Sequence, residues 1–241
     1  MTLFLNGGGC GEQLKETYSS FKKEVDLSRP LLYIPLAMDE ERYSDCWAWI
    51  QKELENFGFP SIDMVKSAQE LCCKNLMAYA AIFIGGGNTY KLLSDLRSCD
   101  AFNRLRGFVE DGGTVFGSSA GAIIFGKNID SSGWDDQNIV ELKETKGFNK
   151  VFDAYIGAHY PNSASDKTQK AKECFMNLSH EAPVIALPEE DTLIVKKNII
   201  KIIGSEPYYI FKNGEILPME PGQGYSPSGC GKNKGFRELL N

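Results

Sequence analysis

Histidine is scarce in this sequence: His159 and His180 are the only two among 241 residues, so any chemistry that needs an imidazole has two places to find it. The seven cysteines (Cys10, Cys46, Cys72, Cys73, Cys99, Cys174 and Cys230) are odd in number, scattered and without C-x-x-C spacing. They indicate neither a disulfide frame nor a zinc site, and a reducing cytoplasm fits them best. No Lys/Arg cluster stands apart from neighbouring Asp and Glu, and the formal net charge is -6. The basic stripe that nucleic-acid binding requires is therefore missing. The longest apolar run, Leu76 to Ile84, falls far short of the ~18 residues that cross a bilayer. No basic region followed by a long apolar stretch opens the chain, so a soluble cytoplasmic protein without a membrane partner is expected.

What is present is a regular alternation. With 42% hydrophobic and 24% charged residues, the chain can bury a substantial core and reads as one α/β domain over residues 1–241. Leu3-Phe4-Leu5, Leu31-Leu32-Tyr33-Ile34, Ile62-Asp63-Met64-Val65 and Ala80-Ala81-Ile82-Phe83-Ile84 are short apolar strands. Between them lie helical segments around Leu14 to Val25, Glu40 to Phe57 and Ala68 to Cys73. Strands separated by helix-length connections predict a doubly wound, mostly parallel sheet covered on both faces. After Pro183-Val184-Ile185-Ala186-Leu187 the β runs crowd together without helices, which predicts antiparallel edge strands near the C-terminus. The Gly-, Ser- and Pro-rich stretch within 222–241 reads as a surface tail.

In such a sheet, ligands gather at the carboxyl ends of the strands. Three loops stand out there: Gly7-Gly8-Gly9, Gly85-Gly86-Gly87-Asn88-Thr89 and Gly117-Ser118-Ser119-Ala120-Gly121. The first matches a dinucleotide loop only loosely, and nucleotide binding is not expected. The last is a G-x-S-x-G turn between the strand-like Thr114-Val115-Phe116 and the apolar run Ala122-Ile123-Ile124-Phe125. Strand, sharp turn and helix in that order present the Ser119 hydroxyl as a nucleophile. A serine hydroxyl needs a base. His180 ends a helix-like run and reads as a capping or surface residue, whereas His159 follows Ala154-Tyr155-Ile156-Gly157-Ala158 at a strand end, on the sheet edge where Ser119 is expected. A carboxylate that orients the imidazole is found in Leu187-Pro188-Glu189-Glu190-Asp191, again after a strand. Pro188 stiffens the exit and favours Glu189, with Glu190 open as the alternative and Asp191 read as a solvated loop acid. The order Ser, His, Glu differs from that of α/β-hydrolases. Ala120 supplies one backbone donor for an oxyanion and Gly86 or Gly87 the other. Asn88 either binds substrate or caps the helix that begins at Thr89. The Lys127 to Lys150 segment, with Trp134, Asp135 and Asp136, reads as a surface excursion rather than a flap over the site.

Taken together, Ile82-Phe83-Ile84-Gly85-Gly86-Gly87-Asn88-Thr89, Gly117-Ser118-Ser119-Ala120-Gly121-Ala122, Ala158-His159-Tyr160 and Ala186-Leu187-Pro188-Glu189 give a chain that resembles the dipeptidase E (α-aspartyl dipeptidase) family. These are serine peptidases related to cyanophycinase, with a class I glutamine amidotransferase-like fold. The resemblance runs from Leu3 to about Phe211. It implies that Ser119 is the nucleophile, His159 the general base, Glu189 its orienting acid, and Gly87 with Ala120 the oxyanion donors. It also implies short peptide substrates, no metal or organic cofactor, and an arginine after the histidine that holds an N-terminal aspartate. Here Pro161 to Lys172 holds Lys167, Lys170 and Lys172 and no arginine, and a lysine cannot offer the bidentate fork. A cyanophycinase-like β-aspartyl peptidase, an esterase and a non-catalytic binding module on the same scaffold are the competing readings. Oligomeric state is not legible from these residues.

Overall fold

The computed structural model describes residues 1–160, 165–197 and 199–221, without the side chain of Asp166. The tail expected within 222–241 lies outside the described residues. Through the first half of the chain each strand leads into a helix. β1 (Thr2–Asn6) is followed by α1 (Lys15–Glu24), β2 (Leu31–Ile34) by α2 (Tyr43–Glu53), and β3 (Ile62–Met64) by α3 (Ala68–Cys73). β4 (Ala81–Ile84) leads into α4 (Thr89–Arg97) and α5 (Ala101–Glu110), and β5 (Thr114–Ser118) into the single turn α6 (Ala120–Ile123). The five strands pair in parallel in the order β3-β2-β4-β5-β1.

Side chains alternate between two cores, as the period of a strand requires. On one face Phe4, Phe83 and Phe116 pack with Phe21 of α1 and Ile50 of α2. On the other, Leu3, Leu5, Ile82, Ile84 and Val115 pack with Leu92 of α4 and Leu105 of α5. Helices thus cover both faces, the layout expected of consecutive strands that read as unbroken apolar runs.

The second half departs from the single sheet the sequence suggests. β8 (Thr192–Lys196) pairs antiparallel with β1, in register Leu3 to Val195, and β9 (Ile199–Ile203) continues that edge, giving the expected antiparallel border. With the β1 edge taken, β6 (Tyr155–Gly157) and β7 (Val184–Ala186) pair with each other. They form a separate four-stranded sheet in the order β11-β10-β7-β6 with β10 (Tyr208–Lys212) and β11 (Glu215–Met219). Phe175 of α7 (Asp166–Leu178) closes its core against Tyr155, Val184, Ala186 and Phe211. Among the described residues no helix is long and apolar enough to cross a membrane.

Candidate active site

Ser119 follows the last residue of β5 and precedes α6, with φ 52 and ψ -114. A serine held there carries strain of about 1–3 kcal/mol, met by the surrounding structure. Its N–H donates to Asn6 O at 3.1 Å, and its carbonyl accepts the N–H groups of Ala122 and Ile123 at 2.8 and 2.9 Å. The two glycines of the turn are there for close approach. A Cβ on Gly117 would lie 2.2 Å from Gly121 O, and one on Gly121 would lie 2.2 Å from Ile84 O. Only bare backbone lets α6 start this close to β4 and β5.

His159 and Glu189 arrive from the other sheet, at the ends of β6 and β7. The sequence reading put His159 on the edge that carries Ser119; it stands instead on the neighbouring sheet and reaches across. What joins the two is the Gly7-Gly8-Gly9 loop after β1. Gly7 O accepts the His159 N–H at 2.8 Å, Gly7 N–H donates to Asp191 O and Gly9 N–H to Glu189 O, each at 2.9 Å. Gly8 has φ +124, and a Cβ on it would sit 2.0 Å from His159 Cε1. That loop is a bed for the imidazole, a role its resemblance to a dinucleotide loop did not suggest.

The outcome is a continuous chain of hydrogen bonds. His159 Nε2 lies 2.7 Å from Ser119 Oγ, and His159 Nδ1 lies 2.9 Å from Glu189 Oε1. With the ring proton on Nδ1 donated to the carboxylate, Nε2 accepts the serine hydroxyl, the tautomer that activates an alcohol. Glu190 is directed elsewhere and accepts Gln13 Nε2 at 3.0 Å. His180 stands exposed after the C-terminal end of α7, as expected.

Among the described residues, the N–H groups of Gly86, Gly87 and Ala120 donate to no other protein group, whereas the flanking Gly85 and Asn88 N–H groups are taken up by Ile34 O and Ala37 O. A Cβ on Gly86 would lie 3.1 Å from Ser119 Cβ, so this loop borders the hydroxyl. Orphan donors beside a nucleophile are what an oxyanion requires. Asn88 takes the capping role: its Oδ1 accepts the Lys91 N–H at 2.9 Å, and its Nδ2 donates to Gln137 O at 2.8 Å.

Two cavities open beside Ser119 and His159. One, of about 420 Å³, is walled by Arg42, Trp49, Met38, Cys10 and Gly86. The Arg42 Nε is held by Asp45 Oδ2 at 3.0 Å, which leaves its terminal nitrogens as the basic feature of that wall. The other, of about 280 Å³, is walled by Trp134, Asp135, Asp136, Ile123 and Gly87. Part of the 127–150 segment, from Ser132 to Asp136, therefore borders the site, where only a surface excursion was expected. It is drawn in because Asp136 Oδ2 accepts the Thr89 N–H at 2.9 Å at the start of α4. Burial raises the Asp136 carboxyl above its usual range. Lys167 approaches Asp135 to 3.9 Å; residues 161–164 of the stretch after His159 lie outside the described residues.

Asp191, expected as a solvated acid, is fully buried because β8 begins beside it and its Oδ1 meets the Glu206 N–H at 3.4 Å. Burial pushes its carboxyl up to about 7, with the neighbouring Glu190 and Glu206 adding to the rise. The folded state therefore holds a proton that the unfolded chain releases near pH 4. This contribution is present in acid and is lost as pH climbs toward 7, by up to about 4 kcal/mol. Asp191→Asn is expected to flatten that loss: thermal melts from pH 5 to 8 should show the parent falling relative to the variant.

Comparisons with known proteins place the chain in a family. The model of peptidase family S51 matches residues 3–203. A protein of Nostoc sp. called Peptidase E is 29% identical over 193 residues, covering 78% of this chain and 77% of its own. A Peptidase E of Shewanella sp. is 30% identical over 145 residues, 58% of this chain and 60% of its own. The crystal structure of a peptidase from an acI-B1 Actinobacterium superposes with a TM-score of 0.70 at 18% identity, over 93% of this chain and 96% of that one, and so shares the fold. With a match across the whole sheet, the glycine loops and all three strand ends that meet at Ser119, the chain belongs to peptidase family S51 and is a serine-type peptidase.

Proposed function

We propose that this protein hydrolyses short peptides, dipeptides above all, through an acyl-enzyme on Ser119, His159 and Glu189. The observation that carries the reading is the unbroken line from Ser119 Oγ through His159 to Glu189 Oε1 at 2.7 and 2.9 Å. His159 takes the hydroxyl proton as Oγ attacks the peptide carbonyl, and Glu189 holds the ring and stabilises its charged form. The N–H groups of Ala120 and of Gly86 or Gly87 receive the oxyanion. His159 then returns the proton to the leaving amine, and water releases the acid by the reverse path.

The two cavities suit the two polar groups of an N-terminal aspartate, its α-amino group and its side-chain carboxylate. Asp136 faces the site from one wall and suits a free α-amino group, while Arg42 on the other wall is a fork for a carboxylate. Arg42 takes the place of the arginine missing after His159, so a preference for N-terminal aspartate is retained in the proposal on a different element. Asp136→Asn is expected to raise KM roughly tenfold with kcat nearly unchanged, the pattern of a lost ground-state contact. A rise in KM for dipeptides but not for N-acetylated dipeptides would identify the amino group as its partner.

The test is a substrate panel: dipeptides beginning with Asp, Glu, Asn and a neutral residue, a branched β-aspartyl peptide and an activated ester. Asp-X is expected to give the highest kcat/KM, and Arg42→Ala to remove most of that advantage. Fastest turnover of the branched peptide would favour the cyanophycinase-like reading, and turnover of the ester alone would favour an esterase. No turnover of any substrate would leave only a binding module.

A further inference from the structure

The three reacting side chains come from the ends of β5, β6 and β7, and a fourth, unreactive residue holds the segments that carry them. Asn6, the last residue of β1, is fully buried. Its carbonyl accepts the Ser119 N–H at 3.1 Å. Its Oδ1 accepts the Gly8 N–H at 2.8 Å. Its Nδ2 donates to Glu189 O and Asp191 O, both at 3.0 Å, with Thr192 Oγ1 3.1 Å from the same nitrogen.

We propose that Asn6 is a positioning residue for the reaction, fixing the spacing of the Ser119 turn, the glycine bed under His159 and the Glu189 loop. A primary amide is the side chain that meets these partners at once, because it offers an acceptor and two N–H donors in one plane. Aspartate keeps the acceptor for Gly8 and sets a second oxygen against the carbonyls of Glu189 and Asp191. Alanine strands all of them. The bonds end on the backbone beside each reacting group, and the Gly8 backbone sits directly beneath the His159 ring. A shift there moves the imidazole relative to both neighbours, and misplacement by about 1 Å costs on the order of 10²-fold in rate.

The activity arm of the test rests on the serine-peptidase reading above. Asn6→Asp and Asn6→Ala are compared with the parent in a His180→Gln background, which leaves His159 as the one imidazole. Circular dichroism and thermal melts establish the folded fraction. Three quantities are then measured: kcat and KM on the best dipeptide, the rate of phosphonate labelling, and the chemical shift of the non-exchanging His159 Cε1 proton at fixed pH. Folded variants are expected to lose roughly 30- to 300-fold in kcat with KM within threefold, to label more slowly, and to show a displaced His159 resonance. Folded variants with the parent's kcat and the parent's His159 shift would overturn the proposal, since a merely structural asparagine changes the folded fraction alone. Asn6→Asp retains volume and one acceptor, so it decides the question if Asn6→Ala does not fold. A parent that neither hydrolyses nor labels would overturn the serine-peptidase reading, while the His159 resonance would still judge the role of Asn6.

Discussion

Ser119→Ala is expected to lower kcat for dipeptide hydrolysis by roughly 10⁴- to 10⁶-fold, the range seen when a triad nucleophile is removed and only the oxyanion site and binding remain. The fold should survive. The Ser119 side chain bonds to His159 Nε2, while the turn itself is held by backbone bonds from Ser119 N–H to Asn6 and from Ala122 and Ile123 to the Ser119 carbonyl. Alanine at φ 52 inherits the strain without adding to it. Circular dichroism and a melting temperature within about a degree or two of the parent's would separate lost chemistry from lost structure. Retention of more than a hundredth of the parent's kcat would contradict the assignment of the nucleophile.

A second large effect is expected at a residue that has no side chain. Gly8→Ala places a methyl group 2.0 Å from His159 Cε1 at a φ of +124, so either the glycine loop or the imidazole must move. If the ring turns, its 2.7 Å contact with Ser119 is broken. A loss of about 10²- to 10³-fold in kcat is expected alongside a stability cost of about 1–3 kcal/mol from backbone strain. Gly58→Ala is the matched control. Gly58 also has positive φ, +86, but a Cβ there meets nothing within 4 Å. It should therefore lose stability without losing rate. Equal rates in Gly8→Ala and Gly58→Ala would show that the loop does not seat the ring.

Much of this candidate site could be read from the chain because Ser119, His159 and Glu189 each follow an apolar strand, and a strand end is a local signal. The G-x-S-x-G turn, Ala158-His159 and Leu187-Pro188-Glu189 each carry their address within a few residues. Pro188 pointed to Glu189 over Glu190, and it is Glu189 whose Oε1 lies 2.9 Å from His159 Nδ1. What joins them was not legible. Asn6 looks like an ordinary strand terminus, and its bonds to Glu189 and Asp191 span separations of 183 and 185 residues. The Gly7-Gly8-Gly9 loop stood out at a strand end, and with nucleotide binding set aside nothing in the chain named the His159 ring as what it approaches.

The misreadings share a cause. Strand content after residue 183 was evident, but which strands pair is set by which edge is free, and β8 rather than β6 or β7 occupies the β1 edge. His159 was therefore placed on the wrong sheet, although it still reaches Ser119 Oγ at 2.7 Å. Asp191 looked solvated because it sits among acids, yet the Glu206 N–H and the start of β8 enclose it. Asp136 and Arg42 border the cavities beside Ser119, held there by contacts with Thr89 and Asp45. Composition and spacing carry no trace of such contacts.

The direct measurement is covalent labelling of the folded protein by a serine-reactive phosphonate, with the modified peptide located by mass spectrometry. Modification at Ser119, lost in His159→Ala and slowed in Glu189→Gln, is the expected result. Labelling at another serine, or labelling of Ser119 that proceeds equally well without His159, would contradict it.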